Sequence, residues 1–138
     1  MTMPLDDHKQ KQGCVWLADD DAGTRDFLVA VYERAGYQVE QFSDGLELMR
    51  AVTKKPAPDV IITDIHMPGK EGIETIFFLK RHLSAVPVIA MSGGSSYGVN
   101  FLRLAEGCGA AKLLTKPFGA KDALAAVQGI LGDRGVHN

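Results

Sequence analysis

Apolar residues in this chain fall into short unbroken runs and longer helix-spaced stripes, and the two kinds alternate. Cys14-Val15-Trp16-Leu17-Ala18, Val60-Ile61-Ile62-Thr63 and Val88-Ile89-Ala90-Met91 are almost wholly apolar, as expected of strands covered on both faces. Tyr37-Gln38-Val39-Glu40 alternates, and Ala111–Thr115 carries Lys112 and Thr115, so these two runs read as edge strands. Between them lie helical stripes. Thr24–Ala35 places Phe27, Leu28, Val31 and Tyr32 at helical spacing, and Gly36 stops it. A second helix is predicted from about Asp44 to Thr53, with Asp44 and Glu47 at capping-box spacing and Leu46, Met49 and Val52 as its stripe. Pro56 and Pro58 punctuate the chain before the third strand. A third helix follows the loop Met67-Pro68-Gly69 and groups Ile73, Ile76, Phe77 and Leu83 on one side. Pro87 opens the fourth strand, the loop Gly93-Gly94-Ser95-Ser96 closes it, and a weak helix runs to about Glu106. Gly107 and Gly109 break the chain, and a last helix, Ala120 to Leu131, carries Leu124, Val127 and Leu131.

Five strands alternating with five helices predict an α/β domain with a parallel sheet covered on both faces. Right-handed crossovers with strands 2 and 5 at the edges fit the order 2-1-3-4-5, a flavodoxin-like, doubly wound (βα)5 arrangement. At 138 residues there is room for one domain. Residues 1–12 read as a loose, flexible tail, 13–131 as the domain and 132–138 as a short C-terminal tail.

Composition narrows the classes without choosing one. The chain is 46% hydrophobic and 23% charged, with a net charge of -2, so it can build a core and shows no basic footprint for nucleic acid. No apolar run is long enough to span a bilayer and the first residues lack a signal-peptide core, so the expected setting is the cytoplasm. Cys14 and Cys108 lack metal-ligand spacing and read as small buried hydrophobes. Trp16, in mid-strand, reads as core.

The candidate chemistry sits where the apolar runs stop. Strand 1 runs into Asp19-Asp20-Asp21, strand 3 into Asp64, strand 4 into Ser92 and strand 5 into Lys116. Ligands of open parallel sheets bind outside the carboxyl ends of the strands, at the point where connections leave in opposite directions. In the order above, strands 1 and 3 flank that point, roughly 4.8 Å apart. Asp20 and Asp64 then face each other across a crevice. Two carboxylates about 4 Å apart repel by on the order of 4 kcal/mol at an effective dielectric near 20, and Asp19 adds to this. A cation is therefore expected, and Mg2+ suits an all-oxygen site with phosphate. Asp64 could take a phosphoryl group as nucleophile, with Lys116 and Ser92 holding its oxygens. Asp21 reads as a first-turn helix acid, and His66 as a solvent-facing loop residue.

These four clusters resemble the receiver domain of two-component response regulators. The resemblance covers about Gly13 to Leu131. It rests on the acidic Asp19-Asp20-Asp21, on Asp64-Ile65-His66-Met67-Pro68-Gly69, on Met91-Ser92-Gly93 and on Thr115-Lys116-Pro117-Phe118. It implies a signalling module rather than an enzyme with an external substrate. Asp64 is then the phosphoacceptor, and Mg2+ is bound by Asp20, Asp64 and the backbone carbonyl of His66. Asp19 acts through a water. The Lys116-Pro117 bond is cis. The implied donors are a histidine kinase, a histidine phosphotransfer protein or small donors such as acetyl phosphate. The implied output is an unidentified downstream protein, or a homodimer, met through the weak helix before strand 5, strand 5 itself and the last helix; neither nucleic acid nor membrane is an expected partner. After Leu131 only Gly132–Asn138 remains, so the chain either acts alone or is a receiver cut from a larger protein. One position departs from the family pattern: Leu113 stands where an aromatic residue usually moves with phosphorylation.

Two other classes share parts of this pattern. A haloacid-dehalogenase-like aspartyl phosphatase needs a second Asp two residues after the nucleophile, and His66 stands there. A flavin-binding module would put its phosphate against the acidic turn after strand 1, which repels it.

Overall fold

A computed structural model of the chain describes residues 13–65, 72–93, 106–107 and 109–132. The elements are β1 (Cys14–Ala18), α1 (Ala22–Arg34), β2 (Gln38–Phe42), α2 (Gly45–Lys54), β3 (Val60–Asp64), α3 (Gly72–His82), β4 (Val88–Ser92), β5 (Lys112–Thr115) and α4 (Ala120–Leu131). The five strands are parallel in the order β2-β1-β3-β4-β5, as the edge and interior patterns predict. Of the weak helix before β5, only Glu106 and Gly107 are described, and both are helical.

The unbroken apolar runs divide between the two faces of the sheet because successive side chains of a strand point to opposite sides. Trp16, Ala18, Ile61, Val88 and Ala90 pack with Leu48 and Ala51 of α2 and with Ile76 and Leu79 of α3. Val15, Leu17, Val60, Ile62, Ile89 and Met91 pack with Leu28 and Tyr32 of α1 and with Ala123, Val127 and Leu131 of α4. So α1 leaves β1 toward one face while α3 leaves β3 toward the other. The crevice between the carboxyl ends of β1 and β3 follows from this division of the core. Fully burying a Val, Leu or Ile side chain stabilises a fold by roughly 1.5–3 kcal/mol. Both clusters hold several, enough to fix the strand ends firmly under a polar edge.

Helix ends follow local chemistry. Asp21 caps α1 by accepting from the Thr24 amide (2.8 Å) and hydroxyl (2.7 Å), so it is the N-cap rather than a first-turn acid, and the helix starts at Ala22. Gly36, with φ 99°, takes the left-handed turn that ends α1. Asp44 caps α2 through the Glu47 amide (2.9 Å), but Glu47 reaches back to the Ser43 amide (2.7 Å) instead of closing the usual box. Gly109 is also required: a Cβ there would lie 2.8 Å from Cγ of Lys80.

Four further sequence expectations need correction. The buried stripe of α2 is Gly45, Leu48 and Ala51, while Leu46 is exposed and Met49 and Val52 are half-buried; the spacing was right and its phase was one residue off. In α3, Ile76 and Leu79 are buried but Phe77 is 59% exposed. Cys14 is only half-buried, on the strand that meets β2 at the sheet's edge, and burial with the nearby Asp59 and Glu40 charges pushes its thiol pKa up. β2 begins at Gln38 and runs on to Phe42, because it pairs with β1 along its whole length. Trp16 is core, and packs edge-on against Phe42 at 5.4 Å. No helix among the described residues is long and apolar enough to cross a membrane.

Candidate functional site

Each candidate side chain is placed by the end of a strand. β1 stops at Ala18, and the Asp19 amide still donates to the Phe42 carbonyl of β2 (3.1 Å), which holds Asp19 at the sheet's edge. Its carboxylate is wholly buried. Asp19 Oδ1 accepts from the Asp21 amide (2.9 Å), which bends the chain sharply into α1 and leaves Asp20 exposed at the turn. Asp64 ends β3 as a buried residue in register with Met91 of β4, which puts Ser92 one position further along the neighbouring strand. Ser92 is buried, and its hydroxyl donates to the Gly93 carbonyl (3.1 Å). The Lys116 amide donates to the Ser92 carbonyl (2.7 Å), so β5 delivers the lysine to the same edge. The Lys116-Pro117 bond is cis.

The charges converge. Carboxylate oxygens of Asp19, Asp20 and Asp64 lie within 4.8 Å of one another. The Lys116 ammonium donates to Asp64 Oδ2 at 2.7 Å and to Asp19 Oδ2 at 2.9 Å. Burial pushes the Asp19 carboxyl pKa up, and the Asp64 charge adds to this; the Asp21 amide and Lys116 pull it back without cancelling it. Burial alone would lower the Lys116 pKa, but its hydrogen bonds to Asp64 and Asp19 outweigh that and raise it. One cation thus sits between two buried acids, with a third acid at the rim.

The donor set fits a hard divalent cation. Three carboxylates at mutual ligand distance, one of them exposed to solvent, match the oxygen-only, partly hydrated coordination of Mg2+. No other such cluster of metal-ligating side chains occurs among the described residues. His66, whose carbonyl was expected to join the set, lies outside the described residues, as does Cys108. Beside Lys116 an open groove of about 350 Å³ is lined in part by Phe27, Pro117 and Phe118.

Arg25 and Gln41 were not singled out by sequence. Arg25 Nη1 donates to the Asp19 carbonyl at 2.6 Å, and Nε to Gln41 Oε1 at 3.3 Å. The available signal was weak: a cation in the first turn of a helix opposes the helix dipole, and such a placement calls for a compensating contact.

A model of the response regulator receiver domain matches residues 15–128. The chain is 33% identical over 118 residues to the DNA-binding transcriptional regulator NtrC of Escherichia coli, covering 86% of this chain and 24% of that protein. It therefore spans about a quarter of the length of the first NtrC relatives it matches. Sporulation initiation phosphotransferase F of Bacillus subtilis is 32% identical over 105 residues, which are 75% of this chain and 82% of that protein. Among solved structures, the chemotaxis response regulator CheY4 of Vibrio cholerae aligns with a TM-score of 0.77 and 26% identity, over 85% of this chain and 97% of that one.

Proposed function

Because the chain belongs to the response regulator receiver domain family, we propose that it takes a phosphoryl group onto Asp64 and so switches a partner-binding surface. The donor is a histidine kinase or a histidine phosphotransfer protein, and the transfer depends on Mg2+. The observation that carries this reading is the Lys116 ammonium held between Asp64 Oδ2 and Asp19 Oδ2 inside a three-acid cluster.

Asp19, Asp20 and Asp64 would hold the metal, which when bound supplies positive charge to the phosphoryl oxygens. Lys116 fixes the orientation of the Asp64 carboxylate through Oδ2, which aligns it for in-line attack. As an Asp64 oxygen bonds to phosphorus, the bond from phosphorus to the donor's imidazole nitrogen breaks, and the electron pair leaves with the imidazole. Little covalent help is needed in such a transfer; positioning and charge neutralisation dominate. Lys116 then exchanges carboxylate contacts for a phosphoryl oxygen, and the Ser92 hydroxyl turns from the Gly93 carbonyl to donate to another. The groove beside Lys116 gives the donor's ring an apolar approach past Phe27 and Phe118. Leu113, half-buried against the α3 side of the core, supplies none of this chemistry, so the step is independent of the missing aromatic residue.

The test is labelling with radioactive acetyl phosphate and Mg2+. The chain should take up label, and Asp64→Asn should reduce uptake to background while its circular dichroism stays that of the parent. Undiminished labelling of the variant would assign the acceptor elsewhere. Many phosphates released per protein from a small phosphomonoester would instead support the aspartyl phosphatase alternative.

A further inference from the structure

The turn between β1 and α1 holds a cation that the transfer chemistry leaves unused. Arg25 is the fourth residue of α1, and its amide is fixed by the Asp21 carbonyl (3.0 Å). Its side chain runs back over the end of β1. Nη1 donates to the Asp19 carbonyl at 2.6 Å while Nε donates to Gln41 Oε1 at 3.3 Å. Gln41 lies on β2 opposite Leu17, so one guanidinium ties α1, β2 and the end of β1 together.

We infer that Arg25, braced by Gln41, is a positioning residue that fixes the peptide plane between Asp19 and Asp20 and thereby aims the exposed Asp20 carboxylate at the metal position beside Asp64. The other groups of Asp19 are already held: its amide by Phe42, Oδ1 by Asp21 and Oδ2 by Lys116. Its carbonyl belongs to the peptide that leads into Asp20, and Arg25 is what holds it. A planar fork with two donors in fixed directions can brace a carbonyl against a neighbouring strand; an ammonium on a flexible stem cannot do both. The location is costly on electrostatic grounds. A positive charge on the Asp19 carbonyl opposes cation binding beside it, and it opposes the dipole at the start of α1. Geometry and charge therefore make opposite predictions.

This inference rests on the reading that Asp20 and Asp64 hold Mg2+, and one titration separates the two. Mg2+ binding to the full chain is measured by calorimetry for the parent, Arg25→Ala, Arg25→Lys and Gln41→Ala. Amide resonances of the metal-free proteins are recorded alongside. Removing a group that orients a ligand typically weakens metal affinity by about 10-fold or more. Arg25→Ala should therefore bind Mg2+ about tenfold more weakly, and Arg25→Lys should also lose affinity although its charge is kept. Gln41→Ala should lose less, and its loss should vanish when combined with Arg25→Ala, because it acts through the arginine. Without metal, the Asp20 and Asp21 amides should shift while those of Trp16 and Ile62 stay put. Equal or tighter Mg2+ binding by Arg25→Ala, the result expected from charge alone, overturns the inference. Should that variant not fold, unchanged affinity in both Arg25→Lys and Gln41→Ala overturns it equally. A parent chain that ignores millimolar Mg2+ instead sinks the reading of the site, and this inference with it.

Discussion

At the amino ends of β1 and β3, the Asp59 carboxylate accepts from the Cys14 amide (2.7 Å), and the Asp59 amide donates to the Cys14 carbonyl (2.9 Å). At the carboxyl ends of the same two strands, Asp19 and Asp64 share a single ammonium, with the Asp20 carboxylate within 4.8 Å of theirs. Acids of one chemical kind thus serve two purposes on one sheet. Where α1 and α3 depart to opposite faces, the crevice leaves carboxylates facing each other, and the Lys116 ammonium lies between two of them. At the other end an acid bonds to the backbone and closes the edge. The distinction is between a carboxylate bonded to the backbone of the neighbouring strand and carboxylates that share a side-chain ammonium.

The largest effect that probes this contrast is the removal of the shared cation. Lys116→Ala should slow labelling by acetyl phosphate by about 10²–10³-fold, the usual loss when one preorganised donor to a developing charge is removed. It should also make the metal-free fold less stable, since it removes the ammonium that buried Asp19 and Asp64 share. Saturating Mg2+ should recover much of that stability but not the labelling rate. A variant labelled at the parental rate would mean that Lys116 is only a structural cation.

Asp59→Ala is the matching change at the closed edge. The Cys14 amide loses its partner, and an unsatisfied, partly buried donor costs about 1–3 kcal/mol. Denaturant unfolding should register that loss, with labelling after refolding unchanged within about twofold. If labelling fell as far as in Lys116→Ala, the two edges would not be separable in function.

Magnesium itself should act on one edge alone. At about 100 times its dissociation constant, a ligand that binds only the folded state stabilises it by about 2.7 kcal/mol. For a domain of this size that amounts to a rise of several degrees in the melting temperature. The rise should persist in Asp59→Ala and shrink in Asp20→Asn. A parent protein whose melting temperature is indifferent to millimolar Mg2+ would count against the acidic cluster as a metal site.

The sequence made the sheet order and the meeting of Asp19, Asp20, Asp64 and Lys116 at one sheet edge legible because both depend on where apolar runs stop. Val60-Ile61-Ile62-Thr63 followed by Asp64 marks a buried strand and its polar end at once. Phase and side-chain direction were not legible. Leu46, Met49 and Val52 have helical spacing, yet Leu48 and Ala51 face the core, since spacing gives a period and only packing gives its origin. Spacing puts Phe77 on the same side as Ile76, although α3 turns it outward. Arg25 was missed for another reason. Its partners are a backbone carbonyl, which has no identity in sequence, and Gln41, on a different element.

The smallest expected effect concerns an ionisable group that serves packing alone. The Tyr32 hydroxyl of α1 donates to the Ala123 carbonyl of α4 at 2.7 Å, and the ring packs edge-on against Tyr37 at 6.1 Å. Burial, with a smaller contribution from Tyr37, pushes its pKa up from 10.0. A folded pKa above the unfolded one means that the folded chain holds the proton more tightly. The associated stability is fully present below pH 10.0 and declines as the pH rises from there toward the raised value. Lys116, raised above its ordinary 10.5, declines in the same direction, so alkali weakens both regions and the wild type alone cannot separate them. Tyr32→Phe does separate them. At neutral pH it should cost about 1 kcal/mol, the net value of one hydrogen bond. Above pH 10.0 the gap between variant and parent should narrow, because the parent must then keep a proton that the unfolded chain gives up. The gap should be the same with and without Mg2+, which acts at the other group. A gap that stays constant through the alkaline range would show that Tyr32 contributes shape alone.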